Sequence, residues 1–331
     1  MSSDWPPVRL GELCLKIGSG ATPRGGSNVY VDDGARFIRS QNIYDLRFEF
    51  AGLAHLDDSA AAQLQGAAVQ RGDALINITG DSVARACVAP DDGREARVSQ
   101  HVAILRPDRA RILTQFLVYW LVSPVVKAHL LLLASAGATR KALTKAMLET
   151  HQVPLPSVDE QRGIVSVLGA LDDKIDSNRR LAGLLEETVA TMFRARFVDF
   201  VGVEEFEESE IGPVPRGWRV GTIADMCVAV RNGGTPRRME ASYWNSGTIP
   251  WFKTGELTDG FLPSQSKILI TERGLAESNC RVLARGTILV AIYASPTVGR
   301  LGILDAPAAC NQACTALAPK EEVGYPFLFL S

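Results

Sequence analysis

Six residues near the start of the chain, Trp5, Cys14, Gly20, Thr22, Pro23 and Arg24, recur as Trp218, Cys227, Gly233, Thr235, Pro236 and Arg237, each displaced by 213 positions. Arg71-Gly72-Asp73-Ala74-Leu75-Ile76-Asn77-Ile78 returns as Arg285-Gly286-Thr287-Ile288-Leu289-Val290-Ala291-Ile292 at a displacement of 214, and Gln100, Leu105 and Pro107 return as Gln312, Leu317 and Pro319 at 212. A repeat of this length dictates architecture ahead of any local signal, because each copy must fold as a version of the same unit. Residues 1 to about 120 and 214 to 331 are two copies of one domain, and the small drift in displacement is what short loop insertions produce. A chain of 331 residues is also longer than one ordinary core serves.

Within each copy the pattern is short strands between turn residues. Phe37-Ile38-Arg39 with Trp251-Phe252-Lys253, Ala74-Leu75-Ile76 with Ile288-Leu289-Val290, and Val102 to Leu105 read as strands bounded by Gly, Pro, Asp and Asn. Thr114 to Leu133 reads as a helix that Pro124 kinks or breaks. The fold class is therefore α+β.

Between the copies lies a different signal. Ser157-Val158-Asp159-Glu160 has the spacing of a capping box and follows Pro154 and Pro156, so a helix starts there. Ile164, Leu168, Leu171, Ile175, Asn178, Ala182, Leu185, Val189 and Met192 then alternate steps of four and three, a heptad seam with Asn178 as its polar member. Over roughly 40 residues such a helix is ~60 Å long. Its seam fits pairing with another long helix, and the plain alternative is an amphipathic helix lying on its own domains.

The net charge of −2 conceals a pattern: residues 1–150 carry +2, residues 151–210 carry −7 and residues 211–331 carry +3. Two mildly basic copies flank an acidic connector, so an anionic partner is expected at the copies. The longest apolar runs fall well short of the ~20 residues needed to cross a bilayer, and the first residues have no signal-peptide pattern. With six scattered cysteines this points to a reduced, cytoplasmic protein without membrane attachment. Cys310 and Cys314 form the one close-set pair and read as buried strand residues rather than metal ligands.

Enzyme signatures fail on inspection. Gly18-Ser19-Gly20 begins like a dinucleotide loop, but Pro23 stands where the third Gly belongs; Gly20 to Gly25 has phosphate-loop spacing, but Gly26 replaces the Lys. The four histidines, 55, 101, 129 and 151, have no counterparts in the second copy. No catalytic constellation stands at a credible spacing.

What recurs instead is Gly-x-Thr-Pro-Arg followed by a basic strand end. Thr22, Arg24, Arg39 and Asn42 in the first copy, and Thr235, Arg237, Arg238 and Lys253 in the second, are side chains of the kinds that contact phosphates and base edges. Arg140 and Lys141, in Gly137-Ala138-Thr139-Arg140-Lys141, add a cationic loop. The plain alternative is a solvated, turn-rich surface.

Gly212-Pro213-Val214-Pro215-Arg216-Gly217-Trp218, Ile249-Pro250-Trp251-Phe252-Lys253-Thr254-Gly255-Glu256-Leu257, Gly137 to Lys141, and Val153 to Gln161 leading into Leu171 to Arg180 resemble the specificity subunit of type I restriction-modification systems. The resemblance covers essentially the whole chain. It implies two target-recognition domains (residues 1–152 and 214–331), a conserved spacer helix (153–200) and an acidic linker (201–213). It also implies a non-catalytic, DNA-binding protein of host defence and DNA methylation that reads a bipartite double-stranded target. Methyltransferase subunits carrying S-adenosylmethionine, and restriction and translocase subunits using ATP and Mg, are the implied partners, with no cofactor bound by this chain. Family members carry a second helical region after the second recognition domain, and this sequence ends before it. The seam is then expected to pair with another chain, including self-association through the spacer helix. Two alternatives stay open: a protein scaffold or dimerising half-specificity module that no longer reads DNA, and a free-standing DNA-modifying enzyme.

Overall fold

Leu105, in the strand Val102–Pro107, pairs with Ile17 on one side and Ala74 on the other; Leu317, in the strand Cys314–Pro319, pairs with Val230 and Ile288. These are the positions that the sequence repeat makes equivalent, so the duplication holds down to strand register. In a computed structural model describing residues 5–135, 141–293 and 295–331, the chain divides into two units, Met1–Arg179 and Arg180–Ser331.

The first unit carries a four-stranded antiparallel sheet ordered Cys14–Ser19, Val102–Pro107, Ala74–Asn77, Ala86–Val88. A second sheet is ordered Ala96–Val98, Ala35–Ile38, Ala54–Leu56, Tyr30–Val31, its first two strands parallel. All four residues of Ala74–Asn77 are buried because the first sheet is covered on both faces. Ile76 and Leu105 pack on one side with Leu13 and Leu117, and Leu75 and Ile104 on the other with Phe37 and Leu56. Arg97, 2% exposed, is tolerated inside because its guanidinium donates to Ala61 O, Gln65 Oε1 and Glu95 Oε1 at 2.8, 2.9 and 2.5 Å.

The second unit repeats this plan with a five-stranded sheet, Cys227–Asn232, Cys314–Pro319, Ile288–Ala291, Leu301–Leu304, Gly260–Leu262. Its companion is Leu269–Ile270, Ile249–Phe252, Ala309–Cys310, with the last two strands again parallel. Cys310 and Cys314 are both buried, as the strand pattern implied, and the hydrogen bond with the Cys314 thiol, together with burial, drives the Cys310 thiol strongly upward. Among the described residues no group of three His, Cys, Asp or Glu side chains is placed to hold a metal ion.

Pro124 breaks the first unit's long apolar stretch into helices Thr114–Val122 and Pro124–Ser135, bent by 71°. Proline suits the first position of a helix because the missing N–H has no partner there. Among the described residues no single helix is long and apolar enough to cross a membrane.

The connector forms one α-helix, Val158–Phe197. Its start is the expected capping box: Glu160 N–H donates to Ser157 Oγ at 3.3 Å, and Ser157 N–H donates to Glu160 Oε2 at 2.9 Å. That bonding holds the Glu160 carboxyl below its usual range. Ile164 packs against the core of the first unit, and Tyr119 OH donates to Asp172 Oδ2 at 2.6 Å. Further along, Leu171, Ile175, Leu185, Val189 and Met192 stand 56, 45, 56, 50 and 67% exposed, so the seam faces out rather than onto its own domain. In the second unit Phe193 and Phe197 close on Phe327 at 5.4 and 5.1 Å between ring centroids. The acidic stretch is ordered where Phe206–Glu207 pairs with Val214–Pro215.

Candidate nucleic-acid interface

Each copy folds its Gly-x-Thr-Pro loop against a turn that carries a glutamine. Gly20 N–H donates to Val102 O and Gly233 N–H to Cys314 O, at 3.3 and 2.9 Å. A Cβ on Gly20 would lie 1.6 Å from Val98 O, and one on Gly233 2.1 Å from Asn311 O. Glycine is required by this close approach. It sets Thr22, Arg24 and Arg237 in the open and leaves Thr235 half-buried, while Pro23 and Pro236 are buried. In the second copy Thr235 Oγ1 meets Gln312 Oε1 directly.

Of the expected readers at the basic strand ends, Asn42 is turned inward. Asn42 is fully buried: its Oδ1 accepts Arg39 N–H and its Nδ2 donates to Glu49 O, each at 3.0 Å. This corrects the expectation that Asn42 faces a base edge; with its amide spent inside the loop, it staples the 39–49 segment. Glu256 takes the same place in the second copy, accepting Lys253 N–H at 3.2 Å and Lys267 N–H at 3.0 Å. Arg39 is half-buried and donates from Nη2 to Gly52 O at 3.0 Å, bracing the same turn. Lys253 is half-buried, whereas Arg237 and Arg238 are exposed, Arg238 beside Trp244 and Trp251. Arg140 lies outside the described residues. Lys141 is exposed, and its carbonyl accepts Gly80 N–H at 3.1 Å.

That bond places Lys141 beside a polar cleft of about 450 Å³ lined by Gln41, Tyr44, Thr79, Arg85 and His101 among others. The Tyr44 ring has the Arg47 and Arg85 guanidiniums each 4.9 Å from its centroid. A ring holds a cation without neutralising it, so Arg85 stays available to an anion, whereas Arg47 also pairs with Glu49 at 3.5 Å. The His101 imidazole bridges Thr79 Oγ1 at 2.6 Å and Gln100 Nε2 at 3.0 Å. Tyr44, Arg47 and Arg85 were not marked by the sequence pattern, and His101 was set aside there because it has no counterpart in the second copy. Gln100 was visible there only as one position of the repeat.

The seam is a second surface. Ile164 is partly covered, Leu168 is 37% exposed, and Asn178 is exposed midway along the helix. Its end lines an apolar cleft of about 490 Å³ with Val189, Met192, Phe193, Phe197, Val201 and Leu330.

The chain belongs to the family of the type I restriction modification DNA specificity domain, whose model matches residues 2–187 and 215–331, one match for each copy. It is similar to the type I restriction enzyme HindI specificity subunit of Haemophilus influenzae, 20% identical over 99% of this chain and 82% of the relative. The MjaIX specificity subunit of Methanocaldococcus jannaschii is 32% identical over 40% of this chain and 30% of its own length. Among solved structures, the type I restriction-modification S subunit of M. genitalium has the same fold, with a TM-score of 0.54 and 13% identity over 99% of this chain and 76% of that one.

Proposed function

We propose that this chain is the DNA-reading subunit of a type I restriction-modification complex, each repeat reading one half of a split double-stranded site. The observation that carries this reading is the structural duplication, in which Leu105 and Leu317 have equivalent strand partners and both copies present the same Gly-x-Thr-Pro-Arg loop. Two copies of one reading domain in one chain call for two sequence elements in the target. The chain does no chemistry itself: methyltransferase subunits supply S-adenosylmethionine, and restriction subunits supply ATP hydrolysis, with Mg. The uncovered seam from Leu168 to Met192 takes up another long helix, either of a methyltransferase subunit or of a second copy of this chain.

Purified chain together with its methyltransferase subunit, offered a randomised duplex library at moderate salt, is expected to enrich a sequence of two fixed blocks separated by a fixed spacer. Enrichment of no sequence would overturn the reading and favour a scaffold that does not read DNA.

A further inference from the structure

Backbone hydrogen bonds align the copies beyond what sequence displacement reveals. Asn77 N–H donates to Arg85 O and Ala84 N–H to Asn77 O, at 2.9 and 2.8 Å; Ala291 N–H donates to Arg300 O and Gly299 N–H to Ala291 O, again at 2.9 and 2.8 Å. Both turns carry a positive φ just before the arginine, 65° at Ala84 and 86° at Gly299. Arg85 and Arg300 are therefore equivalent, although they lie 215 positions apart. Likewise Ile78 N–H donates to His101 O and Ile292 N–H to Ala313 O, which makes Gln100 equivalent to Gln312 and His101 to Ala313.

The equivalent positions then divide in two. Arg24 and Arg237, Arg85 and Arg300, and Gln100 and Gln312 keep their residue type. Around the first copy's cleft the types change: Thr79 stands where the second copy has Tyr293 and His101 where it has Ala313, while Tyr44, two residues after Asn42, answers to Thr258, two residues after Glu256. Domains that read different half-sites must differ where they touch bases, whereas the sugar-phosphate backbone is the same under both. Phosphate contacts position a protein and base contacts specify the sequence.

Resting on the proposed function, we infer that Arg24, Arg85 and Gln100, with Arg237, Arg300 and Gln312, grip the DNA backbone, and that Tyr44, Thr79 and His101 set the base preference of the first half-site. Arg85 suits the first role because the Tyr44 ring fixes its guanidinium 4.9 Å away without supplying a counter-charge. Tyr44, Thr79 and His101 suit the second because they line one cleft and offer a flat ring edge, a hydroxyl and an imidazole, groups able to hydrogen-bond or pack against base edges.

The test uses the full chain with its methyltransferase subunit and the randomised duplex library, selected at two salt concentrations. The unsubstituted chain must first enrich a split sequence; failure here overturns the proposed function itself and is recognised before any variant is made. Given that sequence, Arg85→Ala and Arg300→Ala are each expected to enrich it unchanged while affinity falls on all duplexes and the slope of log K against log salt flattens by about 1. Arg85→Lys and Arg300→Lys, which keep the charge, are expected to keep the slope, separating contact loss from misfolding. Tyr44→Thr, Thr79→Tyr and His101→Ala together are expected to change the first half-site, leaving the second half-site as it was. A base preference altered in one half by Arg85→Ala or Arg300→Ala, with the salt slope unchanged, would overturn the inference, as would an unaltered first half-site in the triple variant.

Discussion

Gln161 lies in the first turn of the long helix with its side chain fully buried, and its Oε1 accepts the Leu113 N–H at 2.8 Å. Its Nε2 donates to Arg111 O and Pro156 O, both at 3.0 Å, so one amide ties the helix start to the loop ahead of the Thr114–Val122 helix. Gln161→Ala leaves these backbone groups buried and unpaired, at a cost of about 1–3 kcal/mol for each such loss. Urea unfolding of the first unit is expected to shift to lower midpoint with faster amide exchange at Leu113. An unchanged midpoint would contradict the role of this anchor.

Asp73 is fully buried and accepts Arg106 through both carboxylate oxygens, each at 2.8 Å. Thr287 fills the equivalent buried position in the second copy, so the ion pair belongs to the first copy alone. Asp73→Ala strands the Arg106 guanidinium and is expected to destabilise the first unit by about 3–5 kcal/mol, as removal of one member of a buried pair does. Differential calorimetry reads the loss; a change within about 0.5 kcal/mol would show that the pair is not a supporting contact.

His151 packs against Trp120 and His129, with ring centroids 5.0 and 5.3 Å away. Burial first, and the facing His129 second, hold its imidazole below the ordinary value of 6.5. The unfolded chain takes up this proton near 6.5 while the folded chain resists it, so stability falls as pH drops from about 6.5 through the folded value and is untouched above it. His151→Phe keeps a ring beside Trp120 and removes the proton. Melting curves at pH 7.5 and 5.5 are expected to lie further apart in the unsubstituted protein than in the variant; equal separation would remove His151 as the cause.

How much of this was legible in the sequence follows from what each feature depends on. The repeat, the capping box at Ser157 and Glu160, and the break at Pro124 are set by spacing and residue type, and the structure reproduces all three. Asn42 was misjudged because an amide suited to an adenine edge is equally suited to a buried staple, and only burial separates the two. Arg85 and Arg300 escaped notice because an extra residue in the second turn moves them out of step with the flanking displacement of 214. Tyr44 and His101 have no residue of like type in the second copy, so a search for recurrence passes over the positions at which two reading domains must differ.

Leu171 and Ile175 are 56 and 45% exposed and contribute little to the fold of the unit that carries them. Substituting both with Asp is expected to move the stability of the isolated chain by less than about 0.5 kcal/mol. Each Leu or Ile buried at an interface contributes about 1.5–3 kcal/mol, so helix pairing through the seam is expected to weaken a hundredfold or more. Sedimentation of the chain alone and with a methyltransferase subunit checks this; unweakened association in both would show that the seam is not the docking surface.

DNA methylation mapped across the genome of cells that hold the methyltransferase subunit, with and without this chain, tests the central claim most directly. The account predicts methylation at one split sequence only when the chain is present, with Tyr44→Thr, Thr79→Tyr and His101→Ala together altering its first block and leaving the second intact. A methylation pattern indifferent to the chain, or one in which changes in the first copy alter both blocks, would contradict it.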